Sequence, residues 1–99
     1  MKSLPPPDAA VDNQEAVELI RGWVVGEDLQ VSIAFEAFGD HIEIWGQLLA
    51  ETVTHIADAL SAEGHGELQD LYARLRDSLL KHLDNPRSGL TGATQEPVQ

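Results

Sequence analysis

The chain has 99 residues, with 17 Asp and Glu against 6 Lys and Arg, a formal net charge of −11 and no cysteine. Its length is that of one domain, and the lack of cysteine excludes disulfides, thiolate nucleophiles and Cys-ligated zinc. So acidic a chain is repelled by phosphate backbones and anionic membrane surfaces, and we therefore expect neither a nucleic-acid partner nor a membrane partner.

Both ends of the chain lack apolar periodicity and are rich in Pro, Gly, Ser, Asn or Gln. We predict disordered tails at residues 1–14 and 85–99, and a single domain at residues 15–84. Pro5-Pro6-Pro7 follows the first Lys with no apolar segment behind it, so no secretory signal is expected. No apolar run approaches the ~20 residues that span a bilayer. A cytoplasmic protein is the default expectation.

Two strand-like segments open the predicted domain. In "LQVSIAF" apolar and polar residues alternate, so that one face carries Leu29, Val31, Ile33 and Phe35. "AVELIRGWVV" is rich in β-branched and aromatic residues; its two faces carry Val17, Leu19, Trp23 and Val25 on one side and Ile20 and Val24 on the other. The loop "GED" between them contains Gly26, which can adopt a positive φ. This pattern predicts an antiparallel hairpin.

A helix is predicted next, from Asp40 as its N-cap to about Ala62, where Gly64 can end it. Its apolar side chains fall on one stripe, which consists of Ile42, Trp45, Leu49, Val53, Ile56 and Leu60. A second amphipathic helix follows from about Glu67 to Leu83, and its stripe consists of Leu68, Leu71, Tyr72, Leu75, Leu79 and Leu83. We predict an α+β fold of ββαα order, in which both helices pack on the hairpin.

One possible metal site lies on the first predicted helix. Glu51, His55 and Asp58 are spaced i, i+4 and i+7, which puts three potential ligands on one side of the helix. That side is almost opposite the apolar stripe, where neighbouring residues cannot shield or orient a ligand set. A solvated helix face is therefore the favoured interpretation, and no metal or other cofactor is predicted. Burial of this face in an oligomer would change that conclusion.

Other candidate catalytic groups have simpler explanations. The chain has no phosphate-binding Gly-rich loop, no Gly-x-Ser-x-Gly and no His-Glu-x-x-His. His41, His65 and His82 each lack a second ligand at motif spacing. Trp23 and Trp45 lie on apolar stripes, where aromatic residues usually belong to the core. No catalytic residue is predicted.

Three segments together resemble a known family: "AVELIRGWVV", "WGQLLAETVTHIADAL" and "HLDNPRSG". The family consists of small bacterial proteins described only as a domain of unknown function. Its pattern is an Arg-x-Trp strand, a Trp-Gly-x-Leu-Leu helix with an internal His, a second helix and an Asn-Pro exit. Matching positions here are Arg21, Trp23, Trp45, Gly46, Leu48, Leu49, His55, Asn85 and Pro86. The resemblance implies no activity and no catalytic residue.

The sequence favours a non-catalytic interaction or scaffold module that forms a homodimer. A folding segment of about 70 residues rarely has a sufficient core of its own, and an exposed hairpin edge can pair with the same edge of a second copy to give a four-stranded sheet. The acidic residues 39–63, which contain no Lys or Arg, could then face a basic protein partner. The alternative is a metal-binding protein or small enzyme that uses the Glu51, His55 and Asp58 face. An acidic mimic of nucleic acid fits the charge but no motif.

Overall fold

The fold was determined from a computed structural model that describes residues 2–85 and the backbone of residues 91–95. In chain order its elements are α1 (Asp8–Val11), β1 (Ile20–Val25), β2 (Asp28–Ile33), α2 (Glu43–Ala62), α3 (Leu68–Asp84) and β3 (Thr91–Gln95). The predicted α+β class and the order of a hairpin followed by two helices are confirmed.

The hairpin joins β1 and β2 through a two-residue loop. Val25 pairs with Asp28, so the loop is Gly26-Glu27, one residue shorter than predicted. Gly26 has a φ of +66°, whereas no non-glycine residue of the described chain has a positive φ. A positive φ at the first loop position alone is the pattern of a type II′ turn, whose twist matches that of the paired strands.

A third strand extends this hairpin. β3 pairs in parallel with β2, so the strand order is β1-β2-β3 and β1 is an edge strand. The chain reaches β3 from β2 through α2 and α3, as a parallel connection requires. β3 lies within residues 85–99 and α1 within residues 1–14, both of which the sequence assigns to tails. "TGATQ" has no apolar alternation, so periodicity gave no sign of a strand there.

α2 begins later than predicted. The prediction of Asp40 as N-cap was wrong, because the preceding loop continues as turns and the N-cap is Ile42, which lacks any side-chain capping bond. In these turns the His41 N–H donates to the Phe38 carbonyl over 3.0 Å. The Phe38 ring then meets the edge of the Trp45 ring, at 5.2 Å between centroids and 73° between planes. This contact fixes the loop against the first turn of α2.

α2 ends at Ala62, as predicted, and Gly64 closes it just past the C-cap Glu63. The N–H of His65 donates to the Leu60 carbonyl over 3.0 Å, and the N–H of Gly64 donates to the Ser61 carbonyl over 3.0 Å. These two bonds, with a φ of +84° at Gly64, form a Schellman motif, which satisfies the last carbonyls of the helix and turns the chain toward α3.

The helices pack on each other and not on the sheet of the same chain. Among the described elements, Cα atoms approach within 8 Å only between β1 and β2, between β2 and β3, and between α2 and α3. Within one chain, no Cα approach of this kind accompanies the predicted packing of both helices on the hairpin. An apolar stripe indicates that a face avoids water, but it does not indicate which chain covers that face.

Candidate interaction surface

The sheet has one apolar face, which the strand register defines. Ile20 pairs with Ile33, Gly22 with Val31 and Val24 with Leu29, and paired residues lie on the same face. This surface, the apolar sheet face, consists of Ile20, Val24, Leu29, Val31 and Ile33. A Cβ atom added at Gly22 would lie 3.8 Å from Val31 and 3.9 Å from Leu29, so these side chains extend over the glycine.

The apolar sheet face is open to solvent. Val24 is 66% exposed, and Ile20 and Leu29 are 43% and 42% exposed, while the other two aliphatic side chains of the face are half-buried. No Cα atom of α2 or α3 lies within 8 Å of a Cα atom of the described strands. A continuous aliphatic surface without a covering layer is unfavourable in water, because burial of one such side chain is worth about 1.5–3 kcal/mol.

The opposite face of the sheet carries Trp23 with polar neighbours. Trp23 pairs with Gln30 and Arg21 with Ser32. The prediction that Trp23 shares its face with Val25 is correct, but the β2 residues on that face are the polar ones. The alternating apolar set of β2 instead joins the Ile20 and Val24 side of β1, so the register sorts the hairpin into an apolar face and a mixed face.

The two helices bury little of their own stripes. Ala57 of α2 is fully buried and Leu71 of α3 is 6% exposed, and these are the buried apolar residues of the described chain. The stripe of α2 still exposes Ile42, Leu49 and Ile56, and the stripe of α3 exposes Leu68, Tyr72, Leu79 and Leu83. The contact between α2 and α3 thus leaves part of each stripe in water.

The whole chain exposes more surface than a compact monomer of its mass. Its accessible surface is 8617 Å², whereas a compact monomer of 10.8 kDa has about 5,500 Å². Its radius of gyration is 15.2 Å, against about 12.6 Å for a compact domain of this length. Both values describe all 99 residues, terminal segments included, and both exceed those of a compact monomer.

The candidate metal ligands stay on the solvent side of α2. Glu51, His55 and Asp58 are all exposed, and Glu51 Oε1 accepts a hydrogen bond from Gln47 Nε2 over 3.3 Å. Among the residues that the structure describes, no three His, Asp or Glu side chains come together as a group able to hold a metal ion. Within one chain these three residues offer no shielded ligand set.

An open groove lies where α2, its connector and α3 meet. Its volume is about 720 Å³, and its lining residues are Leu60, His65, Leu71, Arg74, Leu75, Asp77 and Ser78. Three leucines form an apolar surface, and the polar groups stand beside it. The sequence assigned His65 to a connector and gave no link to Arg74, because only the packing of α2 against α3 places both residues along one groove. Such a groove can accept an apolar group, but its polar residues are not buried.

Two polar interactions on the described surface illustrate its local side-chain contacts. Nδ1 of His82 donates to the Ser78 carbonyl over 2.7 Å, since a carbonyl oxygen can only accept. Near β1 the Nη2 group of Arg21 donates to Glu18 Oε2 over 3.0 Å. This hydrogen bond and the charge of the carboxylate raise the pKa of Arg21 above its ordinary value. Both groups of this ion pair are exposed, so it contributes little to stability.

None of the described helices combines the length and apolar character needed to cross a membrane. No charged or polar residue of the described chain is buried. The described surface thus combines exposed charges with exposed aliphatic faces, and it has no desolvated polar centre.

The chain belongs to the family called "Domain of unknown function (DUF5076)", whose model matches residues 3–87. The resemblance seen in the sequence to a family of unknown function is thereby confirmed. The fold is similar to a solved structure from the photosynthetic bacterium Rhodopseudomonas palustrus CGA009, described as a "putative pyruvate dehydrogenase". The identity is 27%, the TM-score is 0.68, and the match covers 100% of this chain and 97% of the other. No curated protein matches the sequence.

Proposed function

We propose that the protein is a non-catalytic interaction module whose fold is completed by a second copy of itself. The observation that carries this proposal is the imbalance of burial. Ala57 and Leu71 are the buried apolar residues of the described chain, whereas sixteen large hydrophobic residues are exposed. Monomeric proteins rarely leave large contiguous apolar surfaces in water, and such surfaces mark interfaces.

Energetics support an assembly. Burial of one leucine is worth about 1.5–3 kcal/mol, whereas fixing the backbone of a single residue costs about 1–2 kcal/mol. A core of two residues cannot offset that cost across the sheet and both helices. With no cysteine in the chain, a disulfide cannot stabilise the fold either. Burial of the exposed stripes against a second copy provides the missing apolar contacts.

A non-catalytic role fits the described side chains. Acid–base catalysis near neutral pH relies on carboxylates, histidines or lysines whose pKa values are shifted by burial or by a close partner. No described ionisable group is buried, and the groove beside His65 and Arg74 is open. We therefore do not extend the description of the similar bacterial structure to this chain.

The role of the dimer would be to present an acidic surface to a basic protein partner. Residues 39–63 carry five acidic side chains and no Lys or Arg, and in α2 these face away from the apolar stripe. A dimer displays this surface twice, which strengthens the attraction of a basic partner through avidity. Binding to such a partner should weaken steeply as the salt concentration rises, because exposed charges are screened.

Urea unfolding at several protein concentrations tests the dimer. If folding and association are coupled, the midpoint urea concentration rises as the total protein concentration rises. A midpoint that stays constant from low to high micromolar concentration, in a cooperative transition, would show that one copy folds alone and would contradict the proposal.

A further inference from the structure

We propose that the two copies exchange their layers: α2 and α3 of one copy cover the apolar sheet face of the other, and the reverse contact completes the dimer. This inference rests on the proposed dimer and specifies its interface. The occupant of the apolar sheet face is thus the helix pair of a second copy. A two-fold axis relates the two contacts, so the apolar sheet face of each copy meets the α2 and α3 stripes of its partner.

The argument begins with two incomplete layers in the same chain. The apolar sheet face has no covering helix, and Val24, Ile20 and Leu29 remain exposed. The stripes of α2 and α3 are only half covered, and Ile56 and Leu79 remain 43% and 39% exposed. A sheet with one apolar face and helices with one apolar stripe form a stable domain when they are layered on each other. One chain contains both layers but does not bring them together.

The area matches what such an exchange needs. One copy exposes about 3,000 Å² more than a compact monomer of 10.8 kDa. Obligate dimers bury about 2,000–5,000 Å² in total over both partners. That excess covers all 99 residues, terminal segments included; about one third of it over two copies, about 2,000 Å², already reaches this range. The apolar sheet face and the two stripes contain no charged residue, so a chain of net charge −11 can bury them without desolvating its carboxylates.

Other dimer arrangements leave part of the apolar surface in water. Pairing of the β1 edges would join two three-stranded sheets into six strands, and not the four expected from the sequence, but it would cover neither the apolar sheet face nor the stripes. Stacking of two sheet faces would leave both helix pairs uncovered, and a four-helix assembly would leave both sheets uncovered. The exchanged arrangement covers both kinds of surface through two equivalent contacts.

A mixing experiment tests the exchange. Val24→Lys places a charge on the apolar sheet face, and Leu79→Glu places one on the α3 stripe. Each variant alone should dimerise at least about tenfold more weakly than the wild type, because both symmetric contacts are damaged. When the two variants are mixed, the mixed dimer regains one contact made of wild-type residues only. It should therefore form at least about tenfold more tightly than either variant dimer, as measured by native mass spectrometry.

Matched controls use the neighbouring residues of the same type. Val25→Lys lies on the opposite face of the sheet, and Leu80→Glu lies on α3 outside the stripe. Both should dimerise like the wild type. Circular dichroism of each variant at high concentration monitors its folding, and mixed dimers can form from variants that unfold when alone, since association supplies the core.

Each other outcome overturns the exchange in a recognisable way. Loss of the dimer in Val24→Lys alone indicates stacked sheets, and loss in Leu79→Glu alone indicates a helical interface. Loss in both variants without recovery on mixing indicates a single interface shared by both surfaces. In these three cases the wild type is still a dimer, so the proposed function stands. A monomeric wild type would overturn the proposed function as well.

Discussion

The most informative single substitution is Val24→Lys, because Val24 is the most exposed residue of the apolar sheet face, at 66%. Full burial of a valine side chain is worth about 1.5–3 kcal/mol, so burial of the remaining two thirds contributes about 1–2 kcal/mol per copy. A symmetric dimer contains the residue twice, which gives about 2–4 kcal/mol. At 1.4 kcal/mol per factor of ten, the dimer Kd should rise about 30-fold to 700-fold.

This range is a lower limit, because a buried lysine also loses the hydration of its charge. Sedimentation equilibrium over a dilution series measures the Kd of the variant and of the wild type. Val25→Lys is the control: Val25 is the next residue, is 61% exposed and lies on the opposite face, and its substitution should change the Kd by less than about threefold. The reasoning is refuted if Val24→Lys leaves the Kd unchanged, or if both substitutions weaken the dimer equally.

Three further predictions concern other parts of the molecule. Gly64→Ala should lower the free energy of unfolding by about 1–2 kcal/mol, because Gly64 has a φ of +84°. Gly46→Ala, inside α2 with open space around an added Cβ, should raise it by about 0.5–1 kcal/mol. Urea unfolding measures both changes, and the same sign for both would contradict the assigned roles. Raising the salt concentration from low to physiological should lower the dimer Kd, because two copies of charge −11 repel each other and salt screens that repulsion. Sedimentation measures the Kd, and a dimer weakened by salt would exclude an apolar interface. Native mass spectrometry should find no mass that a chelator removes, in the wild type or in His55→Ala; a chelator-sensitive mass lost on His55→Ala would instead establish a metal site on α2.

Local features of the fold could be predicted from the sequence because single residues determine them. Gly64 ends α2 since few other residues adopt its φ at low cost, and Gly26 supplies the positive φ of the hairpin loop. The alternation of β2 and the two helical stripes follow from the periods of strand and helix. The Asp40 cap failed because a loop that continues as turns moves the helix start to Glu43 without any side-chain cap.

Features that depend on distant contacts could not be predicted. β3 has no apolar pattern and exists through backbone pairing with β2. The groove that His65 and Arg74 both line depends on how α2 and α3 cross, which neither helix encodes alone. Above all, periodicity identifies the apolar sheet face and the stripes but carries no information on which chain covers them. The difference between the predicted packing of the helices on their own hairpin and the observed arrangement therefore indicates which surfaces form the interface.

The wild-type mass in solution tests the central claim most directly. Native mass spectrometry or sedimentation equilibrium of the untagged protein at low micromolar concentration should give twice the 10.8 kDa mass of one chain, with no added ligand. A monodisperse species of 10.8 kDa that unfolds cooperatively at the same concentration would contradict the claim that a second copy completes this fold.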